Sequence, residues 1–196
     1  MRFALTLIIA LSIRCCYAQD VLDIGIYGEH FQLGDRAQQS YGLMIHFPFA
    51  ERFTLNYQAG IGPRQPEGLF VHAPAGAIGG GWLLANSNGG RWLSALGLLM
   101  TVLPEGIGYY TTTGKFATHV SLNPLGVSYW YRRDPYYEKA KMSCNFMVRG
   151  KMRKTVGTWD IYLAPFAAAT WIYTPSLGME EWGVRAGVAL GLETDM

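Results

Sequence analysis

The chain is poor in charge. Only 15% of its 196 residues are Asp, Glu, Lys or Arg, against ~25% in an average soluble domain. A disordered chain and a strongly basic nucleic-acid binder are both excluded on that ground. Cysteine is scarce as well, and two of the three, Cys15 and Cys16, fall in a stretch with the marks of an export leader. Met1-Arg2 supplies a positive start, Phe3 to Ile13 an apolar run, and Cys16-Tyr17-Ala18 a small-residue cleavage site, so residues 1–18 are expected to be a signal peptide cut after Ala18. That run is too short to cross a ~30 Å hydrocarbon core, and Arg14 directly before Cys15 does not suit a lipoprotein signal. Without the leader only Cys144 is left, which rules out an intrachain disulfide and a metal site built on cysteine pairs. Loss of Arg2 and Arg14 lowers Lys+Arg from 16 to 14, equal to the 14 acids, so no long-range attraction to nucleic acid is expected. A phosphate loop is missing too: Gly76-Ala77-Ile78-Gly79-Gly80-Gly81 is not followed by Lys-Ser/Thr.

What is present is apolar residues at 50%, aromatics at 14% and 24 glycines, arranged in alternation. Trp182, Val184, Ala186, Val188, Leu190 and Leu192 interleave with Gly183, Arg185, Gly187, Ala189, Gly191 and Glu193. Successive strand side chains point to opposite faces, so one face here is wholly apolar and the other small or charged. Bulky residues facing lipid and small ones crowding a narrow lumen account for that pattern. The same period recurs at Leu22–Glu29, Tyr41–Pro48, Phe53–Gly62, Phe116–Asn123 and Met142–Arg149. Eight strands are expected, near 21–33, 40–48, 52–63, 105–112, 116–131, 141–150, 158–173 and 181–194, with shorter turns alternating with longer loops and both termini in the periplasm. Tyr109, Tyr110, Tyr129, Trp130, Tyr131, Trp159, Trp171, Tyr173 and Trp182 are candidates for interfacial girdles.

One stretch, about 70–104, has no period of two. Leu93, Leu96, Met100 and Leu103 fall at helical spacing, and Asn86 to Gly90 reads as a turn. An apolar helical hairpin over 74–85 and 91–103 is expected between strands three and four, with Pro74 near its start and Pro104 at its end. Two further strands in a ten-stranded barrel are the alternative.

The inward faces carry Asp23, Glu29, Asn56, Gln58, His119, Ser121, Asn145, Arg149, Arg185 and Glu193. Enclosed charges must pair, so a polar network that fills the lumen and fixes strand register is expected. His119 and Ser121 share a face, and an acid such as Glu105 or Glu138 would complete a hydrolase-like set. His119-Val120-Ser121 is similar, in those residues alone, to the His-x-Ser of outer-membrane lipid A deacylases, but Leu122 rather than Asn follows the serine. His30, His46 and His72 are dispersed and read as single interface or lumen histidines, so neither a metal nor a cofactor is expected. Arg149, Lys151, Arg153 and Lys154 form a basic cluster at an expected turn, suited to phosphates of lipid or lipopolysaccharide.

Three segments, Phe70–Gly76, Leu103–Tyr110 and Leu122–Gly126, together with the last strand, resemble small outer-membrane β-barrel proteins of the Bacteroidota, of the OmpA/OmpX-like barrel class. The resemblance implies an outer-membrane barrel and carries over no active site. The expected protein is all-β with a helical insertion: an eight-stranded antiparallel transmembrane barrel with a structural or interaction role and no catalysis. Its partners would be outer-membrane lipid, lipopolysaccharide and a membrane protein met through the hairpin. A lipid-modifying enzyme using His119 and Ser121, and a periplasmic lipocalin-like binder of an apolar ligand, are the alternatives.

Overall fold

The computed structural model describes residues 21–34, 36–63, 69–86, 90–112, 114–131, 139–175 and 178–195; the expected signal peptide and Glu138 lie outside them. Alternating sequence forms strands β1 (Val21–Leu33), β2 (Arg36–Ala50), β3 (Phe53–Pro63), β4 (Leu69–Pro74), β5 (Gly106–Thr112), β6 (Phe116–Tyr131), β7 (Lys139–Val156), β8 (Trp159–Thr174) and β9 (Met179–Asp195). All pairings are antiparallel, and β1 pairs with both β2 and β9, so the sheet closes on itself.

There are eight strand positions in the wall, because β4 and β5 share one. β4 runs between the loop-end halves of β3 and β6, and β5 between their turn-end halves. Helices α1 (Ala75–Asn86) and α2 (Arg91–Thr101) leave from the point where that position is broken. The expected hairpin is therefore present, and it interrupts the fourth strand position rather than preceding it. Glu105 closes the break: its backbone N–H donates to Asn56 O at 2.8 Å and its carbonyl accepts from Leu125 N–H at 2.9 Å. The helices touch through glycine. A Cβ on Gly80 would sit 2.5 Å from Gly97 O, and one on Gly76 2.3 Å from Met100 O, approaches that no larger residue permits.

Several strands outrun their expected bounds. β2 starts at Arg36, and β7 continues to Val156 through the stretch read as a basic turn. The physical reason is that Lys151 and Arg153 continue the inward parity of Arg149 and find acids inside, so polarity there marks a lumen face rather than a loop. The true turn is Gly157-Thr158, where Gly157 has φ 67°, the positive φ that two-residue hairpin loops demand.

Inward and outward faces separate cleanly. Outside, Ile26, Val184, Val188, Leu190, Leu163, Phe146 and Ile61 are exposed; inside, Asp23, Glu29, Arg149, Lys151, Arg185 and Glu193 are buried. The interior also holds Tyr27, Met44, Met147, Tyr162 and Phe166 at mid-height, and a cap of Phe31, Leu33, Phe70 and Ile172 towards the loop end.

Candidate functional site

The lumen is held by polar clusters layered along its height. Towards the turn end, β1 contributes Asp23, β7 Arg149 and Lys151, and β9 Glu193. Asp23 Oδ2 accepts from Arg149 Nη2 and from Lys151 Nζ, both at 2.7 Å. Lys151 Nζ also donates to Glu193 Oε1, whose other oxygen lies 2.5 Å from Arg153 Nε. Each acid thus faces two cations, the arrangement that offsets the cost of burying a carboxylate. Tyr110 OH accepts from Lys151 Nζ at 2.9 Å, and the ammonium lies 4.5 Å from the Tyr162 ring centroid, a cation–π contact. His46 Nδ1 is 3.3 Å from Asp23 Oδ2. Tyr110 is therefore a lumen residue and not part of an outer girdle; of Trp130 and Tyr131 only the strand backbone is described.

A second cluster contains His119. Thr54 Oγ1 donates to Asn56 Oδ1 and lies 2.9 Å from His119 Nε2. A threonine hydroxyl has one hydrogen, so with that hydrogen given to Asn56 the imidazole must donate from Nε2. The remaining nitrogen, Nδ1, is the lone-pair atom, and it has no partner; neither has Ser121 Oγ. His119 and Ser121 share the inner face but are not hydrogen-bonded to each other. Edge and tilted ring contacts with His46 at 4.9 Å and Tyr110 at 4.7 Å hold the imidazole further. Asn56 Nδ2 continues the chain to Asn123 Oδ1 at 3.0 Å.

Two clusters lie closer to the loop end. Arg185 holds Glu29 through two bonds of 2.8 Å, and Ser40 Oγ donates to the same carboxylate at 2.5 Å. Beneath the hairpin, Glu105 Oε1 lies 3.0 Å from His72 Nε2 and accepts from Asn145 Nδ2 at 3.1 Å. Asn145 in turn accepts from Thr170 at 2.7 Å, and His72 Nδ1 lies 3.0 Å from Ser128 Oγ. Glu105 is thus committed to His72 and Asn145, not to His119. Gln58 is buried on the same inner face, whereas His30 points outward and is exposed.

His46, Lys151, Tyr110, His72 and Glu105 are lumen residues that the sequence reading did not assign to the network. For His46 and Lys151 a signal existed, since both keep the parity of their strands. His72 and Glu105 flank the broken strand position, where no period survives. Among the described residues no group of three or more His, Cys, Asp or Glu could hold a metal ion.

The expected basic cluster is split by the wall. Arg149 and Lys151 face the lumen, while Lys154 is exposed. Lys154 joins Lys115, Arg153, Thr155, Asp160 and Gly114 around an open recess of about 500 Å³ at the turn end.

Two solved structures are similar to this chain. The N-terminal β-barrel domain of Pseudomonas aeruginosa OprF gives a TM-score of 0.42 at 11% identity, covering 86% of this chain and 96% of its own. Neisserial surface protein A (NspA) gives a TM-score of 0.47 at 7% identity, covering 91% of this chain and 98% of its own. No protein-family model and no curated protein matches the chain.

Proposed function

We propose that the protein is a small outer-membrane β-barrel with a structural or interaction role, exported by a leader cut after Ala18, and without catalysis. The observation that carries this reading is the inversion of the surface: bulky apolar side chains cover the outside of a closed barrel while its ion pairs are enclosed. The thickness agrees. Trp159 and Trp171 share the outward face of β8 twelve positions apart, about 40 Å along a strand at ~3.3 Å per residue and about 30 Å along an axis tilted ~40° from it. That equals the ~30 Å hydrocarbon core, with an indole at each edge. A lipocalin-like binder needs its bulky apolar residues inward, where this barrel keeps Asp23, Arg149, Arg185 and Glu193.

A structural role suits the setting of His119, whose Nε2 is engaged by Thr54 and whose ring packs against His46 and Tyr110. The recess with Lys115 and Lys154 lies at the turn end, the periplasmic end in this reading, where lipid phosphates would meet it. Kinship with small barrels of the Bacteroidota belongs to the same reading.

Fractionation tests it. The protein should remain in outer-membrane pellets after a carbonate wash, migrate faster on gels before heating than after, and begin at Gln19. Release by carbonate into the soluble fraction overturns it. Substituting His119→Ala should leave the lipid A mass spectrum unchanged; a new or lost acyl species would restore the enzyme reading.

A further inference from the structure

The hairpin of α1 and α2 is clothed in apolar side chains on its outside. Trp82, Trp92, Leu93, Leu96, Leu98 and Val102 are all exposed, because the helices meet through Gly76, Gly80 and Gly97 and leave their large residues outward. No charged residue occurs from Ala75 to Gly90 or from Trp92 to Pro104. In water such a lobe would be a large exposed apolar patch.

Its place in the wall decides what covers it. The break in the fourth strand position faces Tyr57 to Ala59 of β3, midway between Phe53 and Pro63, and Asn123 to Leu125 of β6, midway between Phe116 and Tyr131. The hairpin therefore departs from the middle of the outward apolar band. α1 has 12 residues, about 18 Å at ~1.5 Å per residue, slightly more than half of a ~30 Å hydrocarbon core. Its tip is polar, with Asn86 ending α1 and Arg91 starting α2. Trp82 and Trp92 lie near that tip, while Leu98, Leu99, Val102 and Leu103 lie towards the wall. Indole near the tip and leucine near the root is the order that a path from mid-bilayer to one interface requires.

We infer that the hairpin is a half-spanning lateral lobe covered by lipid acyl chains, rooted at the bilayer midplane and ending at one headgroup layer. This rests on the membrane-barrel reading above. A hairpin lying flat along the midplane would strand Arg91 in hydrocarbon, where a guanidinium is costly to bury without a partner. Running to the interface removes that cost.

The test uses the full mature chain refolded in phosphatidylcholine vesicles, with its tryptophans changed to Phe and one returned at a time. Trp92 alone should lose most of its fluorescence to lipids brominated high on the acyl chain. Leu99→Trp should lose it to lipids brominated near the chain end. Val188→Trp, on the outer wall of β9, reports barrel insertion independently. Quenching at position 188 with none at 92 and 99, or with strong quenching there by aqueous acrylamide, overturns the lobe while leaving the barrel intact. So does quenching at 188 with 92 and 99 shielded from both kinds of quencher, since a protein or a second copy would then cover the hairpin. Absence of quenching at all three positions overturns both readings.

Discussion

Arg185 and Glu29 illustrate what the lumen demands of single residues. Both are buried, and the guanidinium offers two parallel donors to one carboxylate. Substituting Arg185→Ala would leave that carboxylate enclosed with Ser40 as its donor among the described residues. Breaking one side of a buried pair costs about 3–5 kcal/mol, whereas replacing both members by apolar side chains of similar size is often close to neutral. Arg185→Ala should therefore lower the urea midpoint of the refolded barrel strongly, and Arg185→Met combined with Glu29→Leu should recover much of the loss. A double variant as unstable as the single would show that the pair holds the wall by more than mutual neutralisation. At this scale much of the interior could be read from parity alone. Asp23, Glu29, Arg149, Arg185 and Glu193 fall on the face opposite the bulky residues in unbroken strands. Lys151 has the same parity, but its neighbours Arg153 and Lys154 gave the stretch the polarity of a turn. Which acid meets which base was not legible, because partners such as Asp23 and Lys151 lie 128 positions apart and no local pattern encodes that distance.

The elements divide by how regular their sequence is. The strands β1, β3, β6 and β9 lie close to where alternation predicts them, since a slip of one residue would turn every bulky side chain into the lumen. β4 escaped detection because it is short and merges with apolar helical sequence. The hairpin and the wall are nevertheless separable in the structure. Residues 75–104 leave and return at one point, and Glu105 alone completes the hydrogen bonding between Asn56 and Leu125. Splicing Pro74 directly to Glu105 is thus expected to give a barrel that still closes, as judged by heat-modifiable mobility and a strand-rich circular dichroism spectrum. Failure of the spliced chain to close would mean that the helices seal the wall. Within the hairpin, Gly80→Val places new carbons against Gly97 O, where even a Cβ would lie 2.5 Å away. Spin labels on Ala85→Cys and Leu93→Cys should move apart in that variant while barrel mobility stays the same; an unchanged separation would contradict the glycine contact as the helices' seam.

On the scale of the molecule, closure and filling together determine what the barrel can transmit. An eight-stranded barrel has an interior only wide enough for side chains, and here successive layers occupy it. The ionic cluster of Asp23, Arg149, Lys151 and Glu193 lies towards the turn end, Tyr27, Tyr162 and Phe166 fill the middle, and Phe31, Leu33, Phe70 and Ile172 cap the loop end. An ion crossing this path would have to displace paired charges at one end and an apolar layer at the other, and no single rotamer change opens both. Planar bilayers containing the refolded protein should accordingly show no steady conductance. Removing either obstacle alone, by Lys151→Ala at the ionic layer or by Phe31→Ala with Phe70→Ala at the cap, should leave the current at baseline because the other layer remains. Opening both in one chain should still give no current, because Tyr27, Tyr162 and Phe166 fill the middle; adding Tyr27→Ala and Phe166→Ala to that chain is the variant for which a conducting state is expected. If the ionic substitution alone produced steady channels, the apolar cap would not be the barrier that its burial implies, and the filled lumen could no longer account for a structural rather than a transporting role.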